Sequence, residues 1–164
     1  MLPTARWMNW PVNDVVIDSS VAVAWMLADE PLHEAARRFR ATFRTGGREP
    51  IVAEHFGFEV RHALIKAARR ERIAWPEVRE GFAAIEAFEP TVVPLRGRDD
   101  PVLDLAHELG LTWGDAHWID VAMRLDLPLL TADLRLARAV PDELAIVVHL
   151  GDEIVLLLAA DGEL

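Results

Sequence analysis

Five short, largely apolar runs recur along the chain, and they restrict its possible folds more than any other feature. They are VVID at 15–18, PIVA at 50–53, TVVPL at 91–95, LPLLT at 127–131 and LAIVVHL at 144–150. The segments between them place apolar residues at helical spacing. Strands that are apolar on both faces and alternate with amphipathic helices form parallel sheets covered on both sides. We therefore predict a three-layer α/β/α domain whose central parallel sheet has about four to five strands. The run at 144–150 is expected to be the last central strand.

Two aspartates come at or just after the ends of these predicted strands. Asp18 closes the first run, and Asp133 follows the run at 127–131 by two residues. Ligands of parallel α/β sheets bind beyond the carboxyl ends of the strands, which places both carboxylates at the candidate site. An aspartate at a helix start also caps free amides and contributes roughly 0.5–2 kcal/mol. That alternative stays open for each residue.

Two further acids lie on predicted helices. Asp115 follows Thr112 at the spacing of a capping box, but as a first-turn residue it is also expected to project toward the same sheet edge. Glu59 lies on the flank of an apolar helix face, where a carboxylate needs a partner. Asp120 is about 140° round the helix from Asp115, so the two cannot point into one site. We expect Asp120 to face solvent or to form a salt bridge.

These acids imply a particular class of metal site. Four carboxylates that converge without an equivalent lysine or arginine need a proton or a bound cation. The chain has no cysteine, which excludes thiolate ligands. Mg²⁺ and Mn²⁺ prefer oxygen ligands and bridge to phosphates, so an all-carboxylate site suits phosphodiester hydrolysis. Ser19, Ser20 and Thr131 are expected either to position a ligand near the acids or to serve in caps and turns.

Three segments carry a family resemblance: VVIDSSVAVAWML, FEVRHALIKAARR and LTWGDAHWIDVAMRLDLPLLTADLRLA. In this order and spacing they resemble the PIN domain, and in particular the VapC toxins of type II toxin–antitoxin pairs. The resemblance covers about residues 14–150. The domain boundaries that follow are an N-terminal extension at 1–13, a PIN domain at 14–150 and a tail at 151–164. The apolar pattern of the tail leaves open whether it adds an edge strand or docks in a partner.

The resemblance also implies an activity and partners. VapC-like toxins are Mg²⁺-dependent endoribonucleases, with Mn²⁺ as a substitute, that form homodimers and are restrained by a small VapB-like antitoxin. The positions that match the family's catalytic, metal-binding acids are Asp18, Glu59, Asp115 and Asp133, with Ser20 and Thr131 in support. Two departures are His62, where asparagine is common, and Gly114 ahead of the third acid. They leave the carboxylates in place and bear on the geometry around them. His62 and His55 are expected in supporting or surface roles.

Charge is unevenly distributed along the chain. Residues 1–72 contain 11 basic and 9 acidic side chains, residues 73–164 contain 6 and 18, and the net charge is −10. An acidic second half suits a basic antitoxin, whereas a basic first half offers phosphate contacts, unless its arginines are simply solvated. The candidates for phosphate contacts are Arg37, Arg38, Arg40, Arg44, Arg61, Arg69, Arg70 and Arg72, of which the last four are assigned to the RNA substrate.

Other classes of α/β protein fit less well. A receiver domain needs a lysine after its last central strand, and the only lysine is Lys66, in an early helix. A haloacid-dehalogenase-type phosphotransferase needs an aspartate where Ser20 stands. A catalytically silent PIN-fold binding module and a DNA nuclease with the same site remain open. No apolar run approaches about 18 residues and no signal-peptide pattern is present, so a cytoplasmic location is expected.

Overall fold

The computed structural model describes residues 14–45, 49–141, 144 and 147–152. The predicted extension at 1–13 and the predicted tail beyond residue 152 lie outside this range. The strands are β1 (Asp14–Ile17), β2 (Glu49–Ala53), β3 (Thr91–Val93), β4 (Leu129–Thr131) and β5 (Val147–His149). The helices are α1 (Ser19–Met26), α2 (His33–Thr45), α3 (Phe56–Arg69), α4 (Trp75–Glu86), α5 (Asp99–Leu109), α6 (Trp113–Leu125) and α7 (Leu134–Ala139).

The strands form one parallel sheet in the order β3-β2-β1-β4-β5. Helices on both faces complete three layers, which confirms the predicted fold class. The run at 144–150 contributes β5 to this sheet, and within the described residues β5 pairs with β4 and stands last in the strand order. The residues of β5 are half-buried, and α7 contacts them.

The central strands carry the hydrophobic core. Val16 and Ile17 of β1 and Leu129 of β4 are fully buried, as is Val52 of the neighbouring strand β2. Because β1 has a strand on each side and helices above and below, its side chains meet protein on both faces. This position explains why VVI is continuously apolar, with charged residues only before it at Asp14 and after it at Asp18.

The chain direction through the sheet fixes where a crevice opens. From β1 the chain moves outward to β2 and β3, then returns to β4 on the other side of β1. The strand order therefore reverses between β1 and β4, and such a reversal is where open α/β sheets bind ligands. Asp18 follows β1 and Asp133 follows β4, and the Asp18 amide donates to the Leu130 carbonyl at 3.0 Å. The predicted meeting of these two strand ends is confirmed.

A tight turn brings α6 to the same edge. Gly110 ends α5 with a φ of 63°, the left-handed conformation that glycine adopts without a steric penalty. Thr112 then caps α6, and its hydroxyl accepts the Asp115 amide at 3.2 Å. Asp115 consequently sits in the first turn of α6, as its spacing from Thr112 predicted.

Candidate functional site

Asp18 is the most buried acid of the site. Its side chain caps α1 by accepting the Ser20 amide at 3.3 Å, which confirms the capping role considered for it. The hydroxyls of Ser20 and Thr131 donate to its Oδ2 at 2.7 and 2.6 Å. Burial raises the pKa of Asp18, hydrogen bonds from Thr131 and Ser20 oppose that rise, and the nearby charge of Glu59 adds to it. No described arginine or lysine pairs with this carboxylate.

The hydroxyls of Ser20 and Thr131 join Asp18 to the turn that follows β4. Each accepts a backbone amide of that turn, Ala132 to Ser20 at 2.9 Å and Asp133 to Thr131 at 3.0 Å. Each then has its proton free to donate to Asp18. The amides thus polarise the hydroxyls toward the carboxylate, which fixes the orientation of Asp18 relative to Asp133.

Glu59 projects from α3 toward the same point. Its Oε2 accepts the Ser19 hydroxyl at 2.6 Å and the Trp118 indole N–H at 3.4 Å. The Ser19 oxygen also lies 3.3 Å from Asp18 Oδ1, so one hydroxyl proton serves two carboxylates. Burial raises the pKa of Glu59, against the hydrogen bonds from Ser19 and Trp118 and together with the charge of Asp115. Glu59, at the edge of an apolar helix face, therefore has the Ser19 hydroxyl and the Trp118 indole as the partners that its carboxylate requires.

Asp115 and Asp133 share a cation that the sequence prediction did not assign. Arg135 Nη2 lies 2.8 Å from Asp115 Oδ2 and 3.1 Å from Asp133 Oδ2. Asp133 also caps α7, because its Oδ1 accepts the amides of Arg135 and Leu136. The expectation of four acids without an equivalent arginine is therefore wrong. Arg135 is only two residues beyond Asp133, but its contact with Asp115 spans twenty residues and depends on the β4–α7 turn.

The four predicted acids line one open cavity of about 540 Å³. Ser19, Ser20 and Arg135 line it too, while Thr131 lies behind Asp18 and is fully buried. Among the described residues, the polar partners of Asp18 and Glu59 are hydroxyl, amide, indole and imidazole groups. The other two are held by Arg135. The structure therefore brings the predicted acids to a single crevice with their charges only partly compensated.

The carboxylate oxygens of the site suit a hard divalent cation, but in this structure they contact Arg135 and hydroxyl groups. Every acid offers carboxylate oxygens, which Mg²⁺ and Mn²⁺ prefer. Within the described part of the chain, no three acidic or histidine side chains already converge as ligands of one ion. Arg135 spans two of the acids and Ser19 links the other two. The chemistry of the donor set therefore fits a divalent cation, while these contacts engage the carboxylates in this structure.

Asp120 lies outside this cavity, as its helical position predicted. It is 2 % exposed and pairs with Arg98 at 2.5 Å and with Arg124 at 3.6 Å. The salt-bridge alternative is thus confirmed, and the solvent-facing alternative is not observed.

Two histidines and a glycine complete the rear of the site. His55 Nδ1 and His117 Nδ1 are 3.0 Å apart, and His55 Nε2 is 3.5 Å from Glu59 Oε1. Burial lowers the pKa of both imidazoles, which favours a neutral pair. A Cβ added at Gly114 would lie 2.9 Å from Glu59 Oε1 and 3.5 Å from His55 Nε2. The departure from the family pattern at Gly114 therefore leaves room for Glu59.

His55 has the supporting position that was expected, whereas His62 is exposed and stacks on Phe58. His117, Trp118 and Arg135 were missed by the sequence analysis. The one available signal was that His117 and Trp118 follow Asp115 in the first turns of the same helix.

The four arginines assigned to substrate binding occupy different surroundings. Arg72 is held by Asp29 and Glu30, and Arg61 lies near Glu86 and over the ring of Phe82. Arg69 and Arg70 are exposed, and neither forms an ion pair with another described residue. Arg70 and Arg72 line a second cavity beside α3. The described helices include none that is long and apolar enough to cross a membrane.

Known proteins were compared with the chain at the level of both sequence and structure. The family model described as PIN domain matches residues 15–140. The crystal structure of PAE2754 from Pyrobaculum aerophilum is similar, with a TM-score of 0.66 and 23 % identity over 90 % of this chain and 98 % of that chain. The crystal structure of Mycobacterium tuberculosis VapC20, a sarcin-ricin loop cleaving toxin, has a TM-score of 0.54 and 16 % identity over 76 % of this chain and 94 % of that chain. No curated protein matches this chain.

The family match spans β1 through α7, which are the elements that carry all four acids. PIN domains are generally nucleases and typically bind divalent metal ions. The predicted resemblance is confirmed, and the two solved structures share the fold. The chain belongs to the PIN domain family.

Proposed function

We propose that this protein is a metal-dependent endoribonuclease and the toxin component of a toxin–antitoxin pair, acting in the cytoplasm. The observation that supports it is the convergence of Asp18, Glu59, Asp115 and Asp133 on one open cavity at the strand reversal. Asp18 is buried and Glu59 is half-buried, and neither has an arginine or lysine partner among the described residues. Burying such charges is unfavourable unless a proton or cation compensates them. A nuclease site gives a reason for keeping them.

In this proposal the four carboxylates hold Mg²⁺, or Mn²⁺ in its place. When bound, the ion supplies activation of water and stabilisation of the charge that develops on the scissile phosphate. Asp18 is the central ligand because it is the most rigidly oriented, by the Ser20 and Thr131 hydroxyls and the turn amides behind them. Glu59 is oriented by Ser19 and Trp118.

Arg135 has a second role in the same proposal. Its guanidinium now neutralises Asp115 and Asp133, and it is largely exposed, so it has room to swing toward solvent. A guanidinium at this position matches the geometry of a phosphate as well as that of a carboxylate. Displaced from the acids, Arg135 would be the nearest described cation to a phosphate that enters the cavity.

The proposal includes two protein partners. A small VapB-like antitoxin would restrain the nuclease, and the strongly acidic second half of the chain suits a basic partner. A second copy of the chain would form the homodimer. VapC20, which has the same fold, is a toxin that cleaves the sarcin-ricin loop, and RNA is accordingly the substrate class proposed here.

A silent binding module is the second candidate, and one observation favours it. Arg135 neutralises two acids and hydroxyls satisfy the other two, so the described residues hold together without a ready-made metal site. In that case Asp18 and Asp133 serve as helix caps and the crevice holds a protein. A DNA nuclease with the same acids is a variant of the first candidate and differs only in substrate.

The deciding experiment is cleavage of a mixed structured RNA and of a single-stranded DNA by the purified protein in Mg²⁺, Mn²⁺ or EDTA. Asp18→Asn is the test variant, and Asp104→Asn, an exposed acid on α5, is the matched control. We expect RNA cleavage that needs metal, is lost in Asp18→Asn and persists in Asp104→Asn. Cleavage of DNA alone would favour the DNA nuclease. Equal inactivity of wild type and Asp18→Asn, both folded, would favour the binding module.

A further inference from the structure

We propose that α3 carries a binding track for single-stranded RNA that leads into the acid cavity. The residues of this track, called the α3 stripe below, follow one another at intervals of four residues from the first turn of α3 to its C-cap: Phe58, His62, Lys66 and Arg70. Twelve residues of helix span about 18 Å, so the stripe is long enough for several nucleotides. The inference rests on the proposed function and adds where and in which form the RNA is held.

The α3 stripe lines a second cavity, of about 500 Å³, that adjoins the first. Phe58, His62, Lys66 and Arg70 all border it, together with the small side chains of Ala63 and Ala67. Val23, Glu59 and Ala63 border both this cavity and the acid cavity. The two spaces are therefore neighbours along α3, with Glu59 at their junction. A chain that lies on the stripe would reach the acids without leaving the surface.

The first part of the stripe is aromatic and open to solvent. Phe58 is 74 % exposed, although its ring is among the side chains that most favour burial. It lies nearly parallel to the His62 ring, at 14° and with 6.1 Å between ring centroids. Two flat rings side by side on a surface are the kind of platform on which unstacked bases bind. An exposed aromatic platform beside a proposed nuclease site is thus accounted for by a nucleotide base.

The second part of the stripe is cationic and uncompensated. Lys66 and Arg70 are exposed, and neither forms an ion pair with any other residue in the described ranges. Arg72 borders the same cavity, but Asp29 and Glu30 already hold it. In a chain with a net charge of −10, two free cations along the approach to the acids offset local repulsion of phosphates. The stripe is aromatic first and cationic next, which suits RNA whose bases contact Phe58 and whose phosphates contact Lys66 and Arg70.

The aromatic platform restricts the RNA to single-stranded form. Bases within a duplex are already stacked on each other, and a flat side chain has access to a base only in a loop, a bulge or an end. A duplex would still contact Lys66 and Arg70 through phosphates, but it would gain nothing from Phe58. A peptide with aromatic and acidic side chains is the competing occupant, and the experiment separates it from RNA.

The test is RNA binding measured by fluorescence anisotropy in an Asp18→Asn background, so that binding does not depend on cleavage. The probes are a labelled single-stranded oligonucleotide and the same oligonucleotide in a duplex. Phe58→Ala should weaken single-strand binding about 10-fold and leave duplex binding nearly unchanged. Lys66→Ala and Arg70→Ala should each reduce the salt slope of single-strand binding by about 0.7.

Matched controls come from neighbouring positions. Trp75→Ala removes an aromatic ring that is 57 % exposed and borders neither cavity, and Arg79→Ala removes an exposed arginine of α4 that also borders neither. Both should bind RNA like the parent protein. Equal losses in the test and control variants would overturn the α3 stripe, as would unchanged RNA binding in Phe58→Ala. Loss of antitoxin binding in Phe58→Ala with RNA binding intact would assign the stripe to a peptide instead.

This outcome is separable from failure of the proposed function. Wild-type protein that cleaves RNA while Phe58→Ala binds it normally would leave the nuclease standing without the stripe. Conversely, single-strand binding that depends on Phe58, in a wild-type protein without any metal-dependent cleavage, would support the stripe and refute the nuclease.

Discussion

Replacing Arg135 with alanine should tighten metal binding, because Arg135 occupies the acids that a metal needs. Its Nη2 contacts Asp115 and Asp133 at 2.8 and 3.1 Å, and these contacts must break before both carboxylates can face an ion. The side chain of Arg135 is 59 % exposed, so each contact is a screened surface pair. Such pairs contribute about 0.5 kcal/mol each, or roughly 1 kcal/mol for two. Removing them should lower the Mn²⁺ dissociation constant about 5-fold.

The measurement is isothermal titration of RNA-free protein with Mn²⁺ at fixed ionic strength. Alanine at 135 keeps the backbone amide that Asp133 caps, so α7 should remain folded. The control is Arg138→Ala, which removes the same charge from an exposed position one turn along α7. Arg138→Ala should change the affinity by less than about 2-fold, because beyond direct contact a solvated charge is screened.

A double-mutant cycle tests whether the tighter Mn²⁺ binding comes from loss of the contact between Arg135 and Asp115. In an Asp115→Asn background Arg135 loses one of its two partners, so Arg135→Ala should tighten Mn²⁺ binding less than it does in the parent protein. Unchanged or weaker Mn²⁺ binding in Arg135→Ala would refute the competition between guanidinium and metal. Equal tightening by Arg138→Ala would show that only net charge matters.

Three further outcomes are expected. In EDTA, Asp18→Asn should melt at a higher temperature than wild type near neutral pH. The pKa of Asp18 is raised by burial, so its contribution to stability is present at low pH and is lost as the pH rises through the folded-state pKa. The difference in melting temperature should shrink in acid, and a constant difference would contradict the assignment. Gly114→Ala should weaken Mn²⁺ binding, because its Cβ would meet Glu59, whereas Gly57→Ala should not, because its Cβ meets only the flexible end of Arg61. Asp120→Ala should lower the melting temperature by breaking the part-buried pair with Arg98 while leaving Mn²⁺ affinity unchanged. A change in affinity there would place Asp120 in the site.

The parts of the site that sequence could predict are those fixed by local pattern and strand position. Apolar runs identify β1 and β4, parallel strands align their carboxyl ends, and Asp18 and Asp133 follow from that rule alone. Asp115 follows from its helix cap. The sequence pattern was not sufficient for Glu59. Its helical position predicted a carboxylate beside an apolar face but did not predict which residues that carboxylate contacts. The family resemblance supplied the link from these separate residues to one crevice.

The features of the site that the sequence did not predict are contacts between residues far apart in the chain. The contact of Arg135 with Asp115 joins residues twenty apart, and His55 with His117 joins residues sixty-two apart. Neither pair has a helical or strand spacing that a pattern can reveal. Gly114 was noticed only as a departure, and its reason is a distance of 2.9 Å to an atom of another helix.

The same acids explain both how the chain folds and what it is proposed to do. As caps, Asp18 and Asp133 satisfy free amides at the starts of α1 and α7, and that role alone would suit two exposed, singly hydrogen-bonded aspartates. Asp18 is instead fully enclosed, receives three hydrogen-bond donors besides the distant Ser19 contact, and shares that serine with Glu59. A cap needs none of this enclosure. Burial raises the pKa of both carboxylates, and the charge of a neighbouring acid adds to each rise, a cost that folding alone does not require and that a bound cation would offset.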